Sequence, residues 1–375
     1  MSYGEAVTAV PAPMLPAYGG ACIDGVVRAL LERHSGTPSW MPAPIADARQ
    51  VILLTLDGLG WEQLSDRAHL APTLCSMAGG PITTVAPSTT ATALTSLTTS
   101  EPPARHGVVG YRVRVGGNDV LNVLRWRVPS GDARQLVPPS KFQDIEPFEG
   151  TRPPVVTRAE FSETGFTGAH LAGVRLYGWR MPSTLVTWAR RLLTGGEPFV
   201  YAYYDGIDKV AHEHGIGDAY DDEIVAADRL VGDMLGVLPP GACLVVTSDH
   251  GQVDVGDQIV PLSQDVLDVT SLLSGEGRFR WLHARPGLEG RLNETVRDLY
   301  AGQAWVRTRD EAVDEDWFGG ALSSDAATRL GDVVLAPFEP VAFLDPADVG
   351  EVKLRSRHGS LTSAEMLVPL LAARA

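Results

Sequence analysis

The chain has 375 residues, of which 44% are hydrophobic and 21% charged, and a formal net charge of −15. That length can bury a substantial core, and the composition is not that of a disordered polymer. The acidic balance excludes polyanion binding as the main activity, because nucleic-acid binders need a basic surface to displace counterions. A small phosphorylated ligand stays compatible with it, since a local metal cluster can reverse the field inside one pocket.

Cys22, Cys75 and Cys243 are too few and too scattered for a disulfide framework or a C-x-x-C metal site. They read as three buried, small apolar side chains. Residues 1–20 lack a basic segment followed by an apolar one, so no signal peptide is expected and a cytoplasmic location is the default. No run approaches the ~18 apolar residues of a membrane span.

In chain order, residues 1–45 read as an N-terminal extension packed on the core, with one helix near Ile23 to His34. The main body follows over residues 46–375. Its first element is the apolar, β-branched run Gln50 to Leu56, a fully buried strand that ends in Asp57-Gly58-Leu59-Gly60. Ser88 to Leu97 is rich in Ser, Thr and Ala behind Pro87 and reads as a helix start, where free N–H groups favour an anion. Residues 110–167 are richer in Pro, Gly and Arg and read as an insertion: a hairpin around Tyr111 to Val115 and long surface connections. Pro198 to Tyr204 is a second buried strand, leading to Asp205 and Asp208. Tyr220 to Leu238 is an amphipathic helix, and Ala242 to Ser248 a third buried strand leading to Asp249-His250-Gly251. A further insertion covers about 262–345, with a strand at Phe279 to Ala284 and a helix at Leu288 to Tyr300, and is placed to act as a lid.

Buried strands alternating with helices imply a parallel α/β sheet. Such sheets bind ligands at the carboxyl ends of their strands, and here three strands each deliver carboxylates or imidazoles to that edge. Asp208 and His212, four apart, share one helical face and suit one metal ion. His214, two positions on, would point elsewhere and reads as surface or supporting. Asp249 and His250 are adjacent at a strand end, where Gly251 permits a sharp turn. Asp57 reads either as a metal ligand or as the cap of the next helix. His358, in Arg357-His358-Gly359-Ser360, is an ordinary loop histidine unless the fold returns it to the sheet edge.

Leu56-Asp57-Gly58, Pro87-Ser88-Thr89-Thr90, Pro103-Ala-Arg-His106-Gly107, Asp208-x-x-x-His212-x-x-Gly215, Ser248-Asp249-His250-Gly251 and His358-Gly359 occur in one order over most of the chain. Together they resemble the alkaline phosphatase superfamily, in its nucleotide pyrophosphatase/phosphodiesterase-like branch. The resemblance implies a three-layer α/β sandwich: a mostly parallel central sheet and an alkaline-phosphatase-like core with inserted cap segments. It implies a metal-dependent phosphoester hydrolase working through a phospho-threonine intermediate at a site of two divalent ions. Zinc suits the ligands, with manganese or iron as alternatives. One ion would take Asp208, His212 and His358. The other would take Asp57, Asp249, His250 and the nucleophile, Thr90. The implied partner is a small phosphorylated substrate of nucleotide type, with no nucleic acid and no membrane.

The chain departs from nucleotide-hydrolysing members at Ala93-Leu94, where they often carry Asn-His, and at Gly110-Tyr111, where they carry an Asn. Phosphomonoester or phosphonate hydrolysis, a metal-dependent phosphomutase or phosphotransferase, and a noncatalytic protein keeping the fold are the alternative readings. The intact ligand set speaks against the last, and a Thr nucleophile against the mutase.

Overall fold

The computed structural model describes residues 10–348 and 350–375; the first nine residues of the expected N-terminal extension lie outside them. The central sheet has seven strands. In chain order they are β1 (Gln50–Leu56), β2 (Ala78–Thr83), β3 (Pro154–Arg158), β4 (Arg175–Trp179), β5 (Phe199–Tyr204), β6 (Ala242–Thr247) and β7 (Leu367–Arg374). Their spatial order is β2-β7-β6-β1-β5-β3-β4. From β6 to β4 all neighbours are parallel, while β7 runs antiparallel between β6 and β2.

The three strands expected from sequence are β1, β5 and β6, and they are adjacent. β1 is fully buried beyond Gln50, and β5 and β6 along their whole lengths, as strands covered on both faces must be. Alternation along β1 divides the core. Val51 and Leu53 pack with helix α1 (Thr90–Thr99) and the segment Cys22–Leu30. Ile52, Leu54 and Leu56 pack with α2 (Pro182–Thr194) and α4 (Asp218–Leu235) on the opposite face. The result is three layers, helices on both sides of a mostly parallel sheet. A short helix, α3 (Gly206–His214), follows β5.

The stretch read from sequence as a hairpin and surface connections holds more than that. Arg112–Val115 and Asp119–Asn122 do form the hairpin. Pro154–Arg158, however, is a strand of the central sheet, pairing with β4 and β5. Its run is short and proline-led, which hid it among loop residues. The later insertion is a second sheet, Thr270–Glu276, Phe279–Ala284, Val333–Pro337 and Ala304–Thr308, with Glu289–Tyr300 packed on it. The N-terminal helix is a single turn and a half, Val26–Leu31, between two short 3₁₀ turns. Cys22 and Cys243 are buried as expected, but Cys75 is exposed, because it lies on the outer side of the short helix Pro72–Ser76. Among the described residues no helix is long and apolar enough to cross a membrane.

Candidate active site

Three neighbouring strands, β6, β1 and β5, end side by side, and their carboxyl ends build the site. The Asp57 amide donates to the Tyr204 carbonyl at 2.9 Å, and the Asp208 amide to the Asp57 carbonyl at 3.1 Å, so the two strand ends are stitched together. Gly58 makes this stitch fit. It sits at φ 76°, and a Cβ there would lie 3.0 Å from the Asp208 Cα. Gly251 serves the neighbouring turn differently from the expectation of a special dihedral: a Cβ there would overlap the Ala364 carbonyl.

The nucleophile candidate and the distant histidine arrive together. Ser88 and Gly359 form an antiparallel bridge, with Ser88 N donating to Gly359 O at 3.1 Å. The fold thus returns His358 to the sheet edge, beside the start of α1. Thr89 is extended, Thr90 is the first helical residue, and the Thr90 Oγ1 lies 3.1 Å from His250 Nε2.

Three imidazoles share one arrangement. His212 Nδ1 donates to Ser356 O at 2.7 Å, His250 Nδ1 to Gly251 O at 3.1 Å and His358 Nδ1 to Ser88 O at 3.0 Å. A carbonyl can only accept, so each ring carries its proton on Nδ1 and, when neutral, a bare lone pair on Nε2. All three Nε2 atoms face carboxylates. His212 Nε2 is 3.3 Å from Asp208 Oδ1, and His358 Nε2 is 3.8 Å from the same oxygen. His250 Nε2 is 3.4 Å from both Asp57 Oδ1 and Asp249 Oδ2.

Lone pairs facing lone pairs repel, and burial worsens the cost. Asp57 Oδ1 and Asp249 Oδ2 are buried without a hydrogen-bond partner. Burial, and then the negative charges of Asp249 and Asp208, push the Asp57 carboxyl well above the usual carboxylate range. Burial and then the neighbouring His250 and His212 rings push His358 well below the ordinary imidazole value. A divalent cation resolves every one of these conflicts at once, so the donor set fits a metal. Two groups have their ligand atoms within 4.8 Å of one another: Asp208 with His250 and His358, and Asp57 with Asp249 and His250. His250, stacked on His358 at 3.5 Å, stands between the two groups. The resemblance assigns His250 to the second group alone and His212 to the first.

Other residues support the ligands, and motif reading did not single them out. Tyr203 donates its hydroxyl to Asp57 Oδ2, and Gln252 donates Nε2 to Asp208 Oδ1 at 2.6 Å. Asp249 Oδ1 accepts from Gly58 N at 3.1 Å. Only their neighbourhood in sequence, a strand end for Tyr203 and the Asp-His-Gly turn for Gln252, offered a signal. Asp205 is not part of the cluster. Arg158 Nε holds its two oxygens at 2.5 and 2.7 Å and Lys209 Nζ adds a contact at 2.5 Å. His214 is half exposed and lies apart, as expected. His106 is buried at the far end of α1, bonded to Ser96 Oγ at 2.8 Å. A cavity of about 610 Å³ opens beside Asp57, Thr90 and Asp208 and runs along α1 past Leu94 to His170.

The family described as type I phosphodiesterase / nucleotide pyrophosphatase matches residues 51–361. Murine ectonucleotide pyrophosphatase/phosphodiesterase 5 has a similar structure, with TM-score 0.65 and 15% identity over 87% of this chain and 88% of that one. An inactive variant of it in complex with AMP aligns with TM-score 0.63, 15% identity and the same coverage. Phosphonoacetate hydrolase from Sinorhizobium meliloti 1021, in complex with phosphonoacetate, aligns with TM-score 0.59 and 19% identity over 88% of this chain and 91% of that one. No curated protein sequence matches the chain.

Proposed function

Since the chain belongs to the type I phosphodiesterase / nucleotide pyrophosphatase family, a family of metal-dependent hydrolases acting on phosphoester bonds, we propose that it cleaves a nucleotide-type phosphodiester or pyrophosphate with Thr90 as nucleophile. The observation that carries this reading is the Thr90 hydroxyl, held 3.1 Å from His250 Nε2 at the first residue of α1 and beside both carboxylate–imidazole groups. Asp208, His212 and His358 would hold one divalent ion, and Asp57, Asp249, His250 and Thr90 the other; oxygen and nitrogen donors of this kind suit zinc. When bound, such a pair would supply Lewis acidity to a displacement at phosphorus.

The chain's own residues do the rest. The extended Thr89 aims Thr90 Oγ1 out of the helix start, and the free first-turn amides of α1 favour the negative charge of a phosphoryl group there. The Thr90 Oγ1–phosphorus bond forms as the bond from phosphorus to the leaving oxygen breaks; the hydroxyl proton ends on that oxygen, and the phospho-Thr90 intermediate keeps the substrate's other group on phosphorus. Water then attacks phosphorus, the Thr90 bond breaks, and the hydroxyl is restored. Tyr203 and Gln252 keep Asp57 and Asp208 in one orientation throughout. The roomy cavity beside Thr90 favours a substrate with a sizeable esterifying group over a bare monoester.

Turnover of p-nitrophenyl phosphate, bis(p-nitrophenyl) phosphate and the p-nitrophenyl ester of thymidine 5′-monophosphate, each with zinc or manganese, tests the proposal. The diesters are expected to be the better substrates, with activity lost on chelation. Thr90→Ala is expected to lower kcat by about 10³-fold or more. A fully active Thr90→Ala protein removes the nucleophile assignment, and a preference for phosphonates would move the substrate class.

A further inference from the structure

The cavity has a chemically distinct far end. It begins at Thr90, passes Leu94 one turn on, and reaches His170, which α1 holds one turn further: Thr98 Oγ1 donates to the His170 carbonyl at 3.0 Å. Thr90, Leu94 and Thr98 are spaced by four and so share one helical face. Thr90 and Thr98 are eight residues apart, which is roughly 12 Å of helix. The wall carries apolar side chains along its length, among them Leu94, Phe161 and Phe166.

His170 is an unusual wall residue. It is buried, one face of its ring is stacked on Phe166 at 3.9 Å, and its Nδ1 lies 2.7 Å from the Phe166 carbonyl. The carbonyl can only accept, so Nδ1 carries the proton. Burial pushes the ring down to about 4, so it is neutral at physiological pH. The opposite nitrogen, Nε2, then holds a bare lone pair and has no protein partner among the described residues. His170 lines the cavity, so this lone pair is an acceptor available to a donor that fills it. The metal site uses the same arrangement at His212, His250 and His358, but among the described residues His170 belongs to no group of three metal-ligating side chains, although Asp132, Glu160 and Glu163 also line the cavity.

We infer that His170 is a specificity-determining residue: its Nε2 accepts a hydrogen bond from the far edge of the substrate's retained group, selecting phosphoesters that carry an N–H donor on a flat, apolar-faced ring. The inference rests on the proposed diester reading and narrows it. The dimensions agree. Along the helix, the roughly 12 Å from Thr90 to Thr98, which holds the His170 main chain, includes an attack distance of about 3 Å between Oγ1 and phosphorus. The remaining ~9 Å is the span from a 5′-phosphorus across a ribose to the outer edge of a base. Leu94, Phe161 and Phe166 would cover the ring faces, and His170 would read the edge. A site built around an acceptor rejects analogues that lack the donor far more strongly than an apolar pocket rejects a missing methylene, because the acceptor is left unpaired.

Two ligand pairs test this, each by binding and by turnover. Adenosine 5′-monophosphate is compared with purine riboside 5′-monophosphate, which lacks only the amino group. Thymidine 5′-monophosphate is compared with its N3-methyl derivative. Binding is measured by calorimetry on metal-loaded Thr90→Ala, and turnover on the p-nitrophenyl esters with the unaltered enzyme. The donor-bearing member of at least one pair is expected to be favoured by about 10-fold or more. His170→Phe is expected to bring that ratio near one, and His170→Gln, which restores an acceptor, to recover part of it. A ratio near one in both pairs for the unaltered protein overturns the inference, as does a ratio that survives in a folded His170→Phe. Should neither diester be hydrolysed while the binding ratio persists, the proposed reaction falls and the donor-selective site stands.

Discussion

Histidine illustrates how the backbone decides what a side chain can do. His212, His250 and His358 each give their Nδ1 proton to a main-chain carbonyl and turn a lone pair toward carboxylates. His106 does the reverse. The Val108 amide donates to its Nδ1 at 3.0 Å, so its proton must sit on Nε2, which donates to Ser96 Oγ. It is a tie between the end of α1 and the following turn, not a ligand. Burial, and then the Arg329 charge, push His106 from 6.5 down to about 3. The unfolded chain therefore binds the extra proton first as pH falls. The stability that neutral His106 supports is fully present above about pH 6.5 and is lost progressively toward pH 3, by up to about 1.4 kcal/mol per pH unit. His106→Leu is expected to be less stable at pH 7 but to show a shallower decline between pH 6 and 4, as read by urea denaturation at several pH values. An unchanged slope would mean that the ring is already charged in the fold.

At the scale of elements, the segment 251–365 is held to the site by one buried ion pair. Arg278 meets Glu365 with Nε at 3.0 Å and its terminal nitrogen at 2.7 Å, and both side chains are fully buried. The same arginine donates to the carbonyls of Pro337, Glu339 and Val341. Glu365 accepts from Ser360 N at 3.0 Å, and its carbonyl takes the Gly251 amide at 2.8 Å. The inserted sheet, the His250 turn and the His358 loop thus meet at one residue, Glu365. Arg278→Met leaves that carboxylate buried and unpaired, at an expected cost of about 3–5 kcal/mol. Adding Glu365→Gln removes the stranded charge and is expected to recover part of the loss, measured as denaturation midpoints of the single and double variants. Sequence could not foresee this joint, because neither residue lies in a motif and their separation along the chain is long. It did reveal β1, β5 and β6, whose unbroken apolar runs are what strands buried on both faces require, and the ligands at their ends, whose chemistry is local. It missed β3 and β4, which are short and carry arginines and a proline, and β7, whose antiparallel pairing depends on a distant strand.

For the whole molecule, the seven ligand candidates come from the ends of β1 and β6, the short helix α3, the His358 loop and the start of α1, so an ion bound among them would cross-link the domain. Any ligand that binds only the folded chain adds RT ln(1 + [L]/Kd), about 2.7 kcal/mol at a hundredfold excess over Kd. Zinc or manganese is expected to raise Tm by several degrees in calorimetry, and a chelator to reverse the shift. Asp57→Asn is a useful control. It removes a buried carboxylate that burial already disfavours, so the metal-free variant is expected to melt no lower than the parent while its metal-induced shift shrinks. Equal shifts in both proteins would place the ion elsewhere.

The position of β7 has a consequence for how such a chain comes into being. Leu367–Arg374 is not at the rim of the sheet but between β6 and β2, and His358 precedes it by only a few residues. During synthesis, β6 and β2 therefore emerge from the ribosome with open edges, and nothing encoded earlier can close them. The nascent chain must carry two unpaired, sticky borders and an unfinished reaction centre until residues 358–374 have been made, a period in which chaperone capture competes with aggregation.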